Sequence, residues 1–324
     1  MKNILILSAG RRVELVQHFR RAAGAYNPGV KIVAADAKTL APALYVADIW
    51  VQIERVDSPL YISRLCEVII EHDVALIIPT IDPELAVLAR NRAEIESRTG
   101  ARVLVADETT INTCNDKVLT AGYLESCGFN VPALIADPLS LPGSSFPVFL
   151  KPRSGSSGIG ATVVTSREEL EPLLRTTVNP MVQQLATGVE YTVDCFSDLE
   201  GRPLSAVPRL RIAVRGGEIL QGKVERNDVI TTEVVRILAS LEIPGPSSVQ
   251  CFFDGSKVQF IEINPRFGGG APMSISAGAD SCMKLLKLLD GERLEYDDDY
   301  VDGLTFLRFD QALCLGPDGE VIGL

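Results

Sequence analysis

The first hundred residues narrow the fold most, because strand-like apolar runs and helical stretches take turns along them. Strands are expected over Asn3 to Leu7, Lys31 to Ala35, Ala75 to Ile78 and Arg102 to Val105, and helices over Arg12 to Ala23, Pro59 to Glu71 and Pro83 to Glu96. Repetition of this kind builds a parallel, doubly wound sheet, since parallel neighbours need a crossover and the crossover helices cover the faces. Ligands of such sheets gather at the carboxyl ends of the strands. That edge should collect Ser8 to Arg12 after the first strand, Asp36 after the second, and Thr80, Asp82 and Glu84 after the third. A nicotinamide dinucleotide held by Asp36 is the tempting reading. It fails on Ser8-Ala9-Gly10-Arg11-Arg12, which lacks the glycines that let a backbone approach a pyrophosphate.

At 324 residues the chain exceeds one typical core, so two or three packed lobes are expected. With 46% hydrophobic and 23% charged residues it reads as globular. A net charge of −11 excludes a general nucleic-acid binder, which needs a basic footprint, but leaves room for a few clustered bases on a small anion. Seven cysteines without a C-x-x-C read as reduced, mostly buried thiols, and two histidines argue against a histidine-rich zinc site. The apolar run Ile4-Leu5-Ile6-Leu7 is too short for a signal-peptide core, and no run approaches the roughly 20 residues that span a bilayer. No membrane partner and a cytoplasmic location are the resulting expectations.

Three later segments carry chemistry. Phe149-Leu150-Lys151 ends a short apolar strand and runs into Pro152-Arg153-Ser154-Gly155-Ser156-Ser157-Gly158-Ile159-Gly160 before Ala161-Thr162-Val163-Val164 resumes strand character. Glycines spaced this closely let the backbone fold around a ligand and aim N–H groups at phosphate oxygens, with Lys151 as a point charge at the mouth. No G-K-[ST] closes the loop, so it is not a Walker loop, and a glycine-rich hairpin turn is the alternative. Met181-Val182-Gln183-Gln184-Leu185 leads through Ala186-Thr187-Gly188 into the strand of Glu190. Backbone groups at such a hinge can read an adenine edge, and Glu190 can accept from ribose hydroxyls or simply be a solvated strand residue. Finally, Glu262-Ile263-Asn264-Pro265-Arg266 follows the strand-like Val258 to Ile261. Residues two apart share a strand face, so Glu262 and Asn264 offer the oxygen donors that Mg²⁺ takes alongside substrate phosphates. Arg266 would face the same phosphates; a strand ending in a polar turn is the plainer alternative.

Together these segments resemble the ATP-grasp superfamily, most closely the synthetase halves of the carbamoyl-phosphate synthase large subunit and the stand-alone carboxylate–amine ligases, over roughly Ala106 to Gly291. The resemblance implies roles residue by residue. Lys117 falls on the first phosphate-binding base and Lys151 on the second. Arg153, Ser156, Ser157 and Gly158 belong to the flexible loop over the triphosphate. Gln183, Gln184 and Leu185 fall on the adenine hinge, with Gln183 where many members carry Glu, and Glu190 takes the ribose position. Gln250, Glu262 and Asn264 match the metal-binding strand pair. Gln250 points to the carbamoyl-phosphate synthase branch, because many other members are acidic there. Arg266 falls on the arginine that contacts the transferred phosphate, and Lys223 lies where a base often reaches the triphosphate. The implied cofactors are ATP and a pair of Mg²⁺ ions, with Mn²⁺ as a substitute.

The expected architecture is α/β: a Rossmann-like parallel-sheet domain over residues 1–107, then a two-lobed, α+β ATP-grasp module with its small lobe over 108–182 and its large lobe, holding the metal site, over 183–324. One helix is expected from Thr110 to Cys127, and others over Ser166 to Leu174, Asp228 to Leu241 and Ser281 to Leu289. Strands are expected around Tyr191, Leu210, Leu220, Val249 and Phe260. Alternate bases share a strand face, which makes Arg209, Arg211 and Lys223 either ligands in a groove or surface charges balancing acids. The activity implied is an ATP-dependent ligase joining a small-molecule carboxylate to an amine through an acyl phosphate. The alternatives are a carbamoyl-phosphate-synthase-like enzyme acting on bicarbonate or carbamate, for which a homodimer or partner subunits would be needed, and an ATP-binding regulatory subunit without turnover. The first domain is expected to help bind the acceptor through Arg11 or Arg12 and the cluster at Thr80, Asp82 and Glu84.

Overall fold

The computed structural model describes residues 2–155 and 158–323. Its first part runs β1 (Asn3–Ile6), α1 (Val13–Tyr26), β2 (Ile32–Asp36), β3 (Ile49–Gln52), α2 (Tyr61–Glu71), β4 (Val74–Ile78), α3 (Asp82–Thr99) and β5 (Arg102–Val103). These strands make one parallel sheet in the order β3-β2-β1-β4-β5. The alternation foresaw this sheet, except for edge strand β3, whose Trp50 faces solvent. Because the chain leaves β1 for one side and β4 for the other, a crevice opens between their carboxyl ends.

Next come α4 (Glu108–Asn115) and α5 (Lys117–Ser126), where a single helix was expected. Asp116 breaks it: its backbone is extended, and its side chain accepts from the N–H groups of Val118 and Leu119. Here an N-cap outweighs continuous periodicity. The break puts Lys117 at the first turn of a helix, with its own N–H donating to the carbonyl of Arg153.

The remaining chain builds two larger antiparallel sheets and, near its end, a two-stranded one of Cys314–Leu315 and Val321–Gly323. β6 (Val148–Pro152), β7 (Thr162–Val164), α6 (Arg167–Thr176) and β8 (Pro180–Gln184) give a three-stranded sheet ordered β7-β6-β8. Ser166 caps α6, accepting from the N–H of Glu169. β9 (Val189–Ser197), β10 (Pro203–Arg215), β11 (Glu218–Val224), α7 (Asp228–Leu241), β12 (Pro246–Phe253), β13 (Val258–Asn264), α8 (Ala271–Ser276), α9 (Ser281–Leu289) and β14 (Thr305–Leu307) give a six-stranded sheet ordered β13-β12-β9-β10-β11-β14.

One apolar core joins the parallel sheet to the six-stranded one: Leu5 and Ile77 of the first share it with Val193 and Val249 of the second, and Ile111 and Leu124 of the intervening helices fill between. Phe129 meets Phe260 edge to face at 5.9 Å. Phe19 of α1 meets Phe267, just past β13, at 5.7 Å in the same geometry. That second contact packs the middle of α1 against the chain just past β13, and the parallel sheet's crevice faces the Glu262–Arg266 run. All seven cysteines are unpaired and five are buried. No helix among the described residues is long and apolar enough to cross a membrane.

Candidate active site

Most polar groups at the carboxyl edge of the parallel sheet are already committed. Thr80 Oγ1 donates to the carbonyls of Leu7 and Ser8, at 3.0 and 2.8 Å. Ser8 and Tyr61 both donate to Glu84 Oε1, leaving the buried Oε2 without a partner among the described residues. Desolvation raises the Glu84 pKa to about 7, so this carboxyl stays largely protonated below neutrality and closes the crevice floor. Asp36 accepts from the N–H of Gly10 at 2.9 Å, which ties down the Ser8–Arg12 loop. Asp82 reaches the cleft, where Arg266 grips it with Nε and Nη2, each at 2.6 Å. Of the cluster expected to meet an acceptor, Thr80 and Asp82 border this cleft, Thr80 with its hydroxyl bonded to backbone carbonyls, while Glu84 is buried and internally bonded.

Opposite that edge, Lys117, Lys151, Gly155, Gly158, Glu190 and Glu262 line a cavity of about 180 Å³. Lys151 comes from β6, and burial lowers its pKa to about 8 against the pull of Glu262 in the other direction. Lys117 Nζ donates to the Gly155 carbonyl at 2.7 Å. Arg153 bonds Asp116, the cap of α5, which ties the loop's start to the helix carrying Lys117. Ser156 and Ser157 lie outside the described residues.

The oxygen donors stand at one sheet edge. Gln250 of β12 pairs in register with Glu262 of β13, and Ser248 with Asn264. Gln250 and Glu262 line both the 180 Å³ cavity and a second one of about 410 Å³ that also takes in Asn264, Arg266, Asp82 and Arg12. Among the described residues no group of three or more His, Cys, Asp or Glu side chains could hold a metal unaided. One carboxylate flanked by amide oxygens fits Mg²⁺ that arrives with phosphates, the usual mode for an ion that dehydrates reluctantly.

The larger cavity is bordered by arginines, and most are spoken for. Arg209 is buried against Asp194, with Nη2 at 2.8 Å from Oδ1, and Ser274 Oγ donates to the same carboxylate at 2.8 Å. Arg211 Nε lies 3.0 Å from Glu190 Oε1, out of line for a hydrogen bond, while its Nη1 and Nη2 donate to Thr192 Oγ1 and the Gly217 carbonyl. Desolvation lowers the Arg211 pKa and raises that of Glu190. Sequence reasoning overlooked Gly268-Gly269-Gly270 just after Arg266. A Cβ at Gly269 would stand 2.7 Å from Arg12 Nη1, and one at Gly270 2.6 Å from Arg209 Nη1, so the run makes room for guanidiniums. The run itself was the available signal.

Two sets of anticipated residues stand apart from these cavities. Gln183 is buried on β8 opposite Phe149, Gln184 takes the Ala133 carbonyl with its N–H, and Leu185 follows the strand's end. They sit one strand away from Phe149, which lines the smaller cavity. Lys223, on β11, lines neither cavity and pairs with Glu225 at 3.2 Å.

Comparison with known proteins agrees with this geometry. Residues 4–104 match the PylC-like, N-terminal domain family, and residues 176–309 match the family described as ATP-grasp in the biosynthetic pathway with Ter operon. A formate-dependent phosphoribosylglycinamide formyltransferase of Synechococcus sp. (strain RCC307) is 30% identical over 266 residues, 76% of this chain and 65% of its own length. A carbamoyl-phosphate synthase of Methanobrevibacter smithii is 22% identical over 255 residues, 73% of this chain and 68% of its own. The solved structure of N5-carboxyaminoimidazole synthetase from Staphylococcus aureus complexed with ADP aligns at a TM-score of 0.72 and 17% identity, covering 98% of this chain and 83% of that one. The chain thus spans a little under two thirds of the formyltransferase. One family match thus lies on the parallel sheet and another, to an ATP-grasp family, across the six-stranded sheet, and the chain as a whole shares the fold of that ADP-bound synthetase.

Proposed function

We propose that the chain is an ATP-dependent ligase that activates a small-molecule carboxylate as an acyl phosphate and passes the acyl group to an amine. The observation that carries this reading is the shared wall: Gln250 and Glu262 line both the small basic cavity of Lys117 and Lys151 and the larger cavity that opens toward the parallel sheet. A triphosphate in the first would present its γ-phosphorus to a substrate in the second. A carboxylate oxygen of that substrate attacks the phosphorus, and the bond to the ADP oxygen breaks. The amine nitrogen then attacks the carbonyl carbon, phosphate leaves, and the nitrogen's proton passes to solvent.

No side-chain nucleophile is required, so the protein's part is positioning and charge. Lys151 and Lys117 neutralise phosphate oxygens, Glu190 takes ribose hydroxyls, and the hinge at Gln183 to Leu185 reads adenine. Gln250, Glu262 and Asn264 would hold Mg²⁺, which when bound offsets the charge of the phosphate oxygens. Arg266, oriented by Asp82, faces the same wall. A carbamoyl-phosphate-synthase-like reading is favoured by one observation, an amide rather than a carboxylate at Gln250, together with the similarity to a synthase of that name.

Release of ADP measured over paired carboxylates and amines, starting with formate and bicarbonate, tests both readings. Turnover that needs an amine as well as a carboxylate supports the ligase. ADP release with bicarbonate alone moves the assignment to the synthase-like enzyme, and no turnover with any pair leaves a nucleotide-binding subunit.

A further inference from the structure

The cleft's charges match almost completely: Arg209 takes Asp194, Arg211 faces Glu190, Arg266 grips Asp82, and Arg308 lies 3.4 and 3.5 Å from Glu14 and Glu218. Glu262 is the carboxylate left for an incoming cation. On the positive side, Arg12 is the one guanidinium of this group without an ion pair among the described residues. It is half-buried, and Arg266 and Arg308 face it as like charges, with Glu218 and Asp82 as the opposing ones. Both of those acids already hold another arginine. A half-buried guanidinium amid like charges, with its nearest acids engaged elsewhere, is left with capacity that a ligand anion can complete.

Position says which part of a ligand that is. Arg12 borders the 410 Å³ cavity and also a further one of about 220 Å³, which Ser8, Arg11, Leu15, Pro272 and Arg308 help to line. The two cavities share Arg12, Ile81, Glu218, Gly268 and Gly269. The cavity of Lys151 borders the 410 Å³ cavity through Gln250 and Glu262 and shares no lining residue with the 220 Å³ one. A group held by Arg12 is thus at the far end from the nucleotide. Gly269 leaves the guanidinium face open on that side, where any Cβ would collide with Nη1.

Resting on the two-substrate ligase reading above, we propose that one substrate carries a second anionic group, a carboxylate or a phosphate remote from the reacting atoms, and that Arg12 is the residue that selects it. The planar fork of arginine meets either group with two parallel hydrogen bonds. Arg11 stands at the rim of the same cavity as the contrast: its side chain is 81% exposed and approaches Asp310 at 3.8 Å, so water already solvates it.

The test uses the full chain saturated with a non-hydrolysable ATP analogue and Mg²⁺, so that the triphosphate positions are filled. Inorganic phosphate and succinate are then titrated separately by calorimetry. At least one should bind, Arg12→Gln should weaken that binding about tenfold or more, Arg12→Lys should fall between, and Arg11→Ala should stay within about twofold of the parent. The anion bound more tightly names the group: phosphate for a phosphorylated substrate, succinate for one with a spare carboxylate. Binding of neither anion, or equal binding by the parent and Arg12→Gln with melting temperatures unchanged, overturns the proposal. The analogue's own isotherm judges the ligase reading separately, since a chain that binds no nucleotide loses that reading while the dependence of anion binding on Arg12 can still be read.

Discussion

The two sides of the cleft handle positive charge in opposite ways. Toward the six-stranded sheet's interior, Arg209 is sealed against Asp194 with Ser274 completing the carboxylate, a closed arrangement with nothing left to give a ligand. Beside the glycine loop, Lys151 is equally buried but has only the more distant field of Glu262 to offset it, and its proton is correspondingly loosened. A planar fork locked to a carboxylate serves as a rivet, whereas a desolvated ammonium without a fixed carboxylate is a vacancy for phosphate. Degree of burial does not tell the two apart; the presence of a committed partner does.

The sharpest way to break that contrast is at Glu262, the carboxylate of the open side. Glu262→Gln should lower turnover, read as ADP release at saturating Mg²⁺, by about a thousandfold or more, because a charge is lost where phosphoryl charge is managed. The melting temperature should hardly move. Activity near the parent's would remove Glu262 from the reaction. On the closed side, Asp194→Ala should act on stability instead, costing about 3–5 kcal/mol in urea unfolding by leaving Arg209 buried and uncompensated. A loss below about 1 kcal/mol would mean that Arg209 reaches water or a ligand, and the distinction between the sides would fall.

What the sequence could reveal divides along similar lines. Helices α7 and α9 were legible to the residue because their signals are local: Asn227 and Asp280 each cap the helix that follows. The parallel sheet was legible from period and alternation. Asp116 shows the limit, since a helix-long pattern hid a cap in its middle. Partner choice was out of reach. Arg209 and Arg211 were visible as alternate bases, but their acids sit on β9, and only strand register brings Asp194 and Glu190 beneath them. Asp82 and Arg266 lie 184 positions apart, and their pairing follows from how α1 and the end of β13 pack. The site's residue types were readable, while the assignment of each charge to scaffold or ligand needed the fold.

A pH titration sharpens the comparison with a smaller effect. With its pKa lowered to about 8, Lys151 should lose its proton as pH rises from 7 to 9, and affinity for an ATP analogue should fall by about tenfold over that range. In Lys151→Met the decline should vanish. Stability runs the other way: between about 8 and the ordinary lysine range the unfolded chain keeps a proton that the native one releases, so ligand-free stability should rise with pH there. A flat affinity profile for the parent would show an ordinary, solvated lysine. Glu84 supplies the matching acid case. Its carboxyl, raised from 4.5 to about 7, binds a proton in the native state that the unfolded state has lost, so stability should fall as pH rises across that interval, and Glu84→Gln should flatten this slope.

The smallest effect is expected at Lys223, which by sequence was the strongest phosphate ligand among Arg209, Arg211 and itself. Its side chain is 40% exposed, its ammonium lies 3.2 Å from Glu225, and β11 carries it outside both cavities. An exposed pair of this kind contributes about 0–1 kcal/mol, and Glu225 would keep the hydrogen bond from Tyr191 Oη at 2.6 Å if the lysine were removed. Lys223→Ala should therefore change turnover by less than about threefold and leave the KM for ATP within the same factor. Lys151→Ala, assayed alongside, should lose about a hundredfold or more if, as proposed, it removes a charge that faces phosphate. Equal losses in the two variants would place Lys223 on the triphosphate when nucleotide is bound. The pair with Glu225 would then be a resting position that the ligand undoes, and a fixed partner would no longer mark a residue as scaffold.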